Sequence, residues 1–458
     1  MSVDPDEVAT CLAVLARLDD ADLDEATRQT LETSVTTAAR GVRKRAKRRR
    51  RAATRADQAV PSAAIRAADH AVLSAATRFH TEVPSTAPPS ADTRAGSVGT
   101  LRRDQRCYVC RTAYREVDAD YHQMCPQCAE ENRARRHARC DLRGRTAVVT
   151  GGRVKIGFHT GLKLLRDGAR VVVTTRFPRD AARRYAAVPD SADWADRLYV
   201  HGLDLLDLSS TLNFVAFVGR RFSGLDILVN NAAQTVWRPP AYYRQVYEAE
   251  AVPLAGPATR IAVGAAPARP VTAGLPTVPE ACFPAGRVDE TGEPLDLREV
   301  NSWVLRDADV SPHEWLQVHV VNAFAPFLLT SRLRPLMAAS RHPQRHVVQV
   351  SAMEGSYSRR SKTVHHPHTN MAKASLNMLV RTVAVDYLAS GIHMNAVDTG
   401  WVTDERPHPS KTHERDQGFR PPLDVIDGAA RVYDPVVRGV SGEPVSGLFL
   451  KDYRSVPW

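Results

Sequence analysis

Val148-Val149-Thr150-Gly151-Gly152-Arg153-Val154-Lys155-Ile156-Gly157 is the stretch that decides the fold. The apolar run 146–150 reads as a buried strand, the glycines as a turn, and 156–167 as a helix. A strand, a glycine turn and a helix N-terminus together make a phosphate site. Glycines let the backbone approach the phosphates, and the free N–H groups of the first helical turn face the anion. Gly151, Gly152, Arg153, Lys155, Ile156 and Gly157 are therefore the candidate phosphate-binding residues. An ordinary strand-to-helix turn carries similar glycines, so the surrounding chain has to decide between the two.

Downstream, from 141 to 458, strand and helix patterns alternate, as an α/β, doubly wound parallel sheet of the Rossmann kind requires. Residues 170–176 read as the second strand, 198–204 as the third and 225–233 as the fourth. The end of the second strand lies where an acid would bind a ribose 2′-hydroxyl; Arg176 stands there instead and suits a 2′-phosphate. With Arg153 and Lys155 in the turn, it favours NADP over NAD. Residues 421–432 read as a helix after a proline-rich turn, and 442–450 as the closing strand.

Upstream, residues 1–83 read as a helical segment with a basic arm, and Val8, Leu12, Leu15 and Leu18 follow helical spacing. Much of the formal net charge of +11 sits in that arm. Between Arg40 and Arg55 ten Arg and Lys residues occur without an acid. Such a cluster suits a polyanion or nucleic acid, because it displaces counterions from phosphates. No aromatic residue interleaves it, which argues against base stacking. Residues 84–100 form a linker by composition. The acidic start and the lack of a long apolar run point to a soluble, cytoplasmic protein without a membrane span.

The seven cysteines include Cys107-Tyr-Val-Cys110 and Cys125-Pro-Gln-Cys128, separated by fourteen residues. Two close thiolate pairs suit tetrahedral zinc, and residues 101–140 read as a small zinc-ribbon-like module. Four cysteines fill the coordination sphere, so the expected role is structural. His122 is a weaker alternative ligand.

The motifs Thr150-Gly151-x-x-x-x-x-Gly157, Asp204-Leu205, Asn230-Asn231-Ala232, Asn322, Lys373 and Asn395-Ala396-Val397 together resemble the short-chain dehydrogenase/reductase family, over about two-thirds of the chain. The resemblance implies a Rossmann fold that binds NAD(P) and passes hydride to or from carbonyls, alcohols or activated double bonds. It implies that Asp204 and Leu205 border the adenine, that Asn231 and Ala232 lie along the cofactor, that Thr403 approaches the nicotinamide amide, and that Lys373 binds the nicotinamide ribose. Members often form homo-oligomers.

Three departures stand out. Lys155 occupies the place of the family's middle glycine. A Pro-, Ala- and Gly-rich insertion at about 236–310 separates Asn231 from Asn322, and its length suggests a lid or a partner-docking arm. The family's Asn, Ser, Tyr and Lys are only partly kept. Asn322 and Lys373 are present; of the paired serines only Ser351 remains, with Ala352 in the catalytic place; Thr369 replaces the tyrosine. Some family members place their tyrosine seven residues before the lysine, where this chain has His366. An imidazole titrates near neutrality and can serve as general acid. His365, His368 and Tyr357 have weaker claims. Two readings follow: an NADP-dependent oxidoreductase using Asn322, Ser351, His366 and Lys373, or an NADP(H)-binding pseudoenzyme acting as sensor or scaffold.

Overall fold

The computed structural model describes residues 4–17, 23–73, 97–264, 278–289 and 291–458. They group into two units, 1–60 with 101–103, and 61–100 with 104–458. In the first, Asp4 and Glu7 form a capping box on the helix Pro5–Leu15. The helix Glu25–Leu73 carries the whole basic arm. The remainder of the expected helical segment, 74–83, and most of the expected linker, 84–96, lie outside the described residues. Ser97–Thr100, expected as linker, instead open the strand β1 (Ser97–Arg106), which pairs antiparallel with β2 (Ala113–Asp118).

The second unit is built on β3 (Thr146–Thr150), β4 (Arg170–Thr175), β5 (Leu198–Gly202), β6 (Ile227–Asn230), β7 (Ala262–Val263), β8 (Arg345–Ser351), β9 (Ile392–Asp398), β10 (Phe449–Lys451) and β11 (Arg454–Val456). Their order across the sheet is β11-β10-β9-β8-β6-β3-β4-β5-β7. Every pairing is parallel except β10 with β11. This is the doubly wound α/β sheet that the alternating pattern predicts. The central strands β3, β4 and β6 carry unbroken apolar centres because both faces of the sheet are covered. On one face Val149, Val171 and Val173 pack with Leu162, Leu165, Val432 and Val436. On the other, Val148, Val172, Leu228 and Val347 pack with Phe214, Leu329 and Val380. Strand order reverses between β3 and β6, and a ligand crevice opens at the carboxyl ends of strands at such a reversal.

The insertion is more ordered than its composition suggests. It contributes β7 to the sheet edge, and its helix Arg244–Ala251 packs on the helix Pro178–Ala186. The Glu250 carboxylate accepts from the N–H groups of Arg179 (2.7 Å) and Asp180 (2.9 Å), capping that helix. Residues 265–277 of the insertion lie outside the described residues. Among the described residues, no helix is long and apolar enough to cross a membrane.

Candidate dinucleotide site and cysteine cluster

Close contacts after β3 leave no room for a side chain at Gly151 or Gly157. Gly151 has φ 67°, and a Cβ on Gly157 would collide with the Gly151 carbonyl and with Asn231 Nδ2. Asn231 Nδ2 donates to the carbonyls of Thr150 (3.0 Å) and Gly151 (3.2 Å). The Thr150 hydroxyl accepts from the N–H groups of Asn231 and Ala232, each at 3.0 Å. Asn231 and Ala232 thus lock β6 to the glycine turn. The following helix, Lys155–Arg166, has no side-chain N-cap, so its first-turn amides suit an anion. Lys155, where the resemblance expects glycine, adopts the φ of 53° that a glycine would take. Ile156 points the other way, into an apolar cluster described below.

The positive charge of this turn is matched inside the protein. Buried Arg153 pairs with Asp180 (2.7 Å) and with Glu293 from the insertion. Arg184 joins the same carboxylates. Lys155 Nζ lies 3.8 Å from Glu405. Burial works against the Glu405 carboxylate, but Lys155, Lys411 and a hydrogen bond from the Thr403 hydroxyl (2.7 Å) hold its pKa at about 2. The Thr403 hydroxyl is therefore engaged by Glu405. Arg176 makes no ion pair among the described residues; its guanidinium sits 4.2 Å from the centre of the Tyr243 ring. Asp204 accepts from the Leu206 N–H (3.0 Å), and Leu205 is buried in the second apolar layer. Sequence reasoning missed Asp180, Glu293 and Glu405. Nothing in their local sequence marks them, because the first two meet Arg153 only through the fold.

The candidate catalytic side chains do not form one hydrogen-bonded cluster. Asn322 lies in a π-helical turn, Val320–Phe324, with its amide paired to the Gln234 backbone (2.6 and 3.1 Å). The Ser351 hydroxyl donates to Asn377 Oδ1 (2.6 Å). Buried Lys373 donates to the Val350 carbonyl (2.7 Å), and burial brings its pKa down to about 8. His366 caps the helix Pro367–Leu388 with a left-handed φ of 44°. Its ring stacks on Trp303 of the insertion (centroids 4.1 Å apart), and Nδ1 bonds Asn370 Oδ1 (3.1 Å). Burial lowers its pKa below the usual imidazole value. Among the alternatives, His368 pairs with Glu314 and His365 Nδ1 bonds the Val304 carbonyl, while Tyr357 is 83% exposed. Thr369 Oγ1, where the family has its phenol, is buried without a hydrogen-bond partner.

Cys107, Cys110, Cys125 and Cys128 come together, with all four sulfurs within 4.8 Å of one another. Zinc–thiolate bonds of about 2.3 Å in a tetrahedron place sulfurs about 3.8 Å apart; Cys110 and Cys125 are separated by 3.7 Å. Hydrogen bonding from Thr112 lowers Cys110 to about 6, whereas burial raises Cys125 and Cys128. His122 lies outside the cluster, beside Gln123. Cys125 is the N-cap of the helix Pro126–Arg136, whose positive end faces the thiolates.

The chain is similar to known proteins over part of its length. Residues 145–248 match the family described as short chain dehydrogenase, and 303–417 match the one described as Enoyl-(Acyl carrier protein) reductase. Uncharacterized protein R665 of Acanthamoeba polyphaga mimivirus is 32% identical over 348 residues, covering 72% of this chain and 71% of that protein. Carbonyl reductase [NADPH] 1 of Sus scrofa is 42% identical over 89 residues, 19% of this chain and 30% of that one. The NADPH-bound carbonyl reductase from chicken fatty liver has 20% identity and a TM-score of 0.43, with 69% of this chain and all of that one covered. The chain belongs to the short-chain dehydrogenase/reductase family.

Proposed function

We propose that the protein is an NADP(H)-dependent oxidoreductase that moves hydride to or from a carbonyl or conjugated substrate, with the family's tyrosine replaced. The observation that carries this reading is the sealed glycine turn beneath a helix without a side-chain cap. Gly151, Gly152, Arg153, Lys155, Ile156 and Gly157 would hold the diphosphate. Arg176 would meet the 2′-phosphate, Asp204 and Leu205 the adenine, Asn231 and Ala232 the middle of the cofactor, and Lys373 and Thr403 its nicotinamide half. The nicotinamide, when bound, supplies or accepts the hydride.

His366 carries the proton step. Its Nδ1–H is directed at Asn370 Oδ1, so exchange with a substrate falls to Nε2. Burial keeps the ring neutral, which suits taking a proton from an alcohol; the reverse direction needs the protonated ring. Asn322 holds the segment after β6 through Gln234, and Ser351 holds the helix of Lys373 through Asn377. The test is NADPH binding followed by turnover with alcohols and carbonyls. Wild type should bind and turn over, and His366→Ala should keep binding and lose turnover.

A second reading, a cofactor-binding pseudoenzyme, is favoured by Thr369 and by the Ser351 hydroxyl turning to Asn377. Binding without turnover by wild type selects it. In either reading the four cysteines hold zinc, and the basic arm at 40–55 is a polyanion site. Exposed Phe327, Met378 and Val385 on the helices Ala325–Ala338 and Pro367–Leu388 suit a second copy of the chain.

A further inference from the structure

We infer that the cysteine module is a wall of the nicotinamide half of the crevice, with Tyr108 as its positioning residue, an inference that rests on the cofactor reading above. Tyr108 lies inside the first cysteine pair, and its N–H donates to the Gln123 carbonyl of the same module (2.8 Å). Its hydroxyl accepts from the Trp401 N–H at 2.9 Å, 293 residues away. Trp401 follows β9, on the half of the sheet that holds β6, β8 and β9. In a doubly wound sheet the adenosine lies over one half and the second nucleotide over the other.

The segment after β9 is tied at each step. Asp398 accepts from the Gly400 N–H (2.8 Å) and the Met353 N–H (2.6 Å), joining the exits of β8 and β9. Gly400 has φ 76°, and a Cβ there would lie 3.4 Å from the Tyr108 hydroxyl. Lys451 Nζ sits 5.4 Å from the centre of the Tyr108 ring and 3.6 Å from Asp398. Val402, next along, is buried in one apolar cluster with Cys107, Cys125 and Cys128. Thr403 then bonds Glu405, and Glu405 faces Lys155 of the phosphate turn. Ile156 packs on the same cluster, and Gly428 leaves the space it shares with Val402. The module therefore braces 400–405 by a hydrogen bond and by apolar contact. Arg136–Asp424 (2.7 Å), Arg135–Asp434 (2.8 Å) and Tyr121–Asp427 (2.8 Å) fasten it to the same wall.

The experiment compares two probes in the full-length zinc-loaded protein: NADPH, and adenosine 2′,5′-bisphosphate, which lacks the nicotinamide half. Tyr108→Phe keeps the ring and the apolar contacts and removes the acceptor for Trp401. Its NADPH Kd should rise up to about tenfold, because the segment 400–405, freed of its anchor, has to be ordered again on binding. Its Kd for the bisphosphate and its zinc content should stay at wild-type values. A merely structural loss would weaken both probes together, and that result overturns the inference, as does an NADPH Kd equal to wild type. Wild-type protein that binds neither probe overturns the cofactor reading itself and the inference with it.

Discussion

Arg153 of the glycine turn and Glu293 of the insertion form a buried ion pair across 140 residues of sequence. The pair sits beside the uncapped helix N-terminus, so the insertion sets the charge of the turn. A carboxylate here opposes a phosphate directly. Glu293→Gln keeps the hydrogen bond and removes the charge, so NADPH should bind about tenfold more tightly at low salt, with a smaller gain for NADH. Fluorescence titration of both nucleotides checks this. An unchanged NADPH affinity would separate Arg153 from the cofactor's phosphates.

Gly157 tolerates no side chain. Gly157→Ala drives a methyl into the Gly151 carbonyl and Asn231 Nδ2, both fixed by the lock between β3 and β6. Overpacking of this kind costs about 1–3 kcal/mol. The variant should melt several degrees lower and lose nucleotide binding altogether. Calorimetry with and without NADPH measures both; retained binding would remove the turn from the site.

Lys373 confers a pH dependence. Its folded-state pKa of about 8 lies below the ordinary 10.5, with burial as the main cause. Between those values the unfolded chain holds more protons, so stability of the cofactor-free protein rises with pH there. The melting temperature should climb from pH 8 toward pH 10, and Lys373→Met should reduce that slope, the remainder coming from Lys163, which burial also brings down to about 8. NADPH affinity should fall over the same range as the ammonium is lost. A slope that Lys373→Met leaves unchanged counts against the assignment.

Zinc removal should reach the sheet. The cysteine cluster shares its apolar core with Val402, Leu423, Val425 and Ile156, so its unfolding exposes one side of the helix Lys155–Arg166. One zinc per chain is expected by elemental analysis. Chelation, or Cys125→Ser, should lower the melting temperature and weaken NADPH binding, with zinc restoring the chelated wild type. No bound metal in freshly purified protein would end the zinc assignment.

The basic arm should act independently of all this. Deleting 40–55 should abolish retention on heparin or DNA at low salt and leave NADPH affinity unchanged. Retention that survives the deletion places any polyanion site elsewhere.

Much of this protein was legible in its sequence because the signals are local. The run 146–157 announces strand, turn and helix through apolar spacing and glycine, which are properties of adjacent residues. The two Cys-x-x-Cys pairs announce a ligand set because short loops hold each pair together whatever the fold. The replacement of the tyrosine by Thr369 needs only the spacing to Lys373. The tertiary structure decided the rest, since pairing over long separations has no local trace. The turn's sequence offers Arg153 to a phosphate, and the fold gives it Asp180 and Glu293. Spacing to Lys373 singles out His366, and the fold stacks it on Trp303. Composition and spacing set the cysteine module apart as a small unit, and the fold packs it against the segment after β9. A sequence names the groups that can carry charge or bind metal; only packing determines which neighbour neutralises, covers or aims each one.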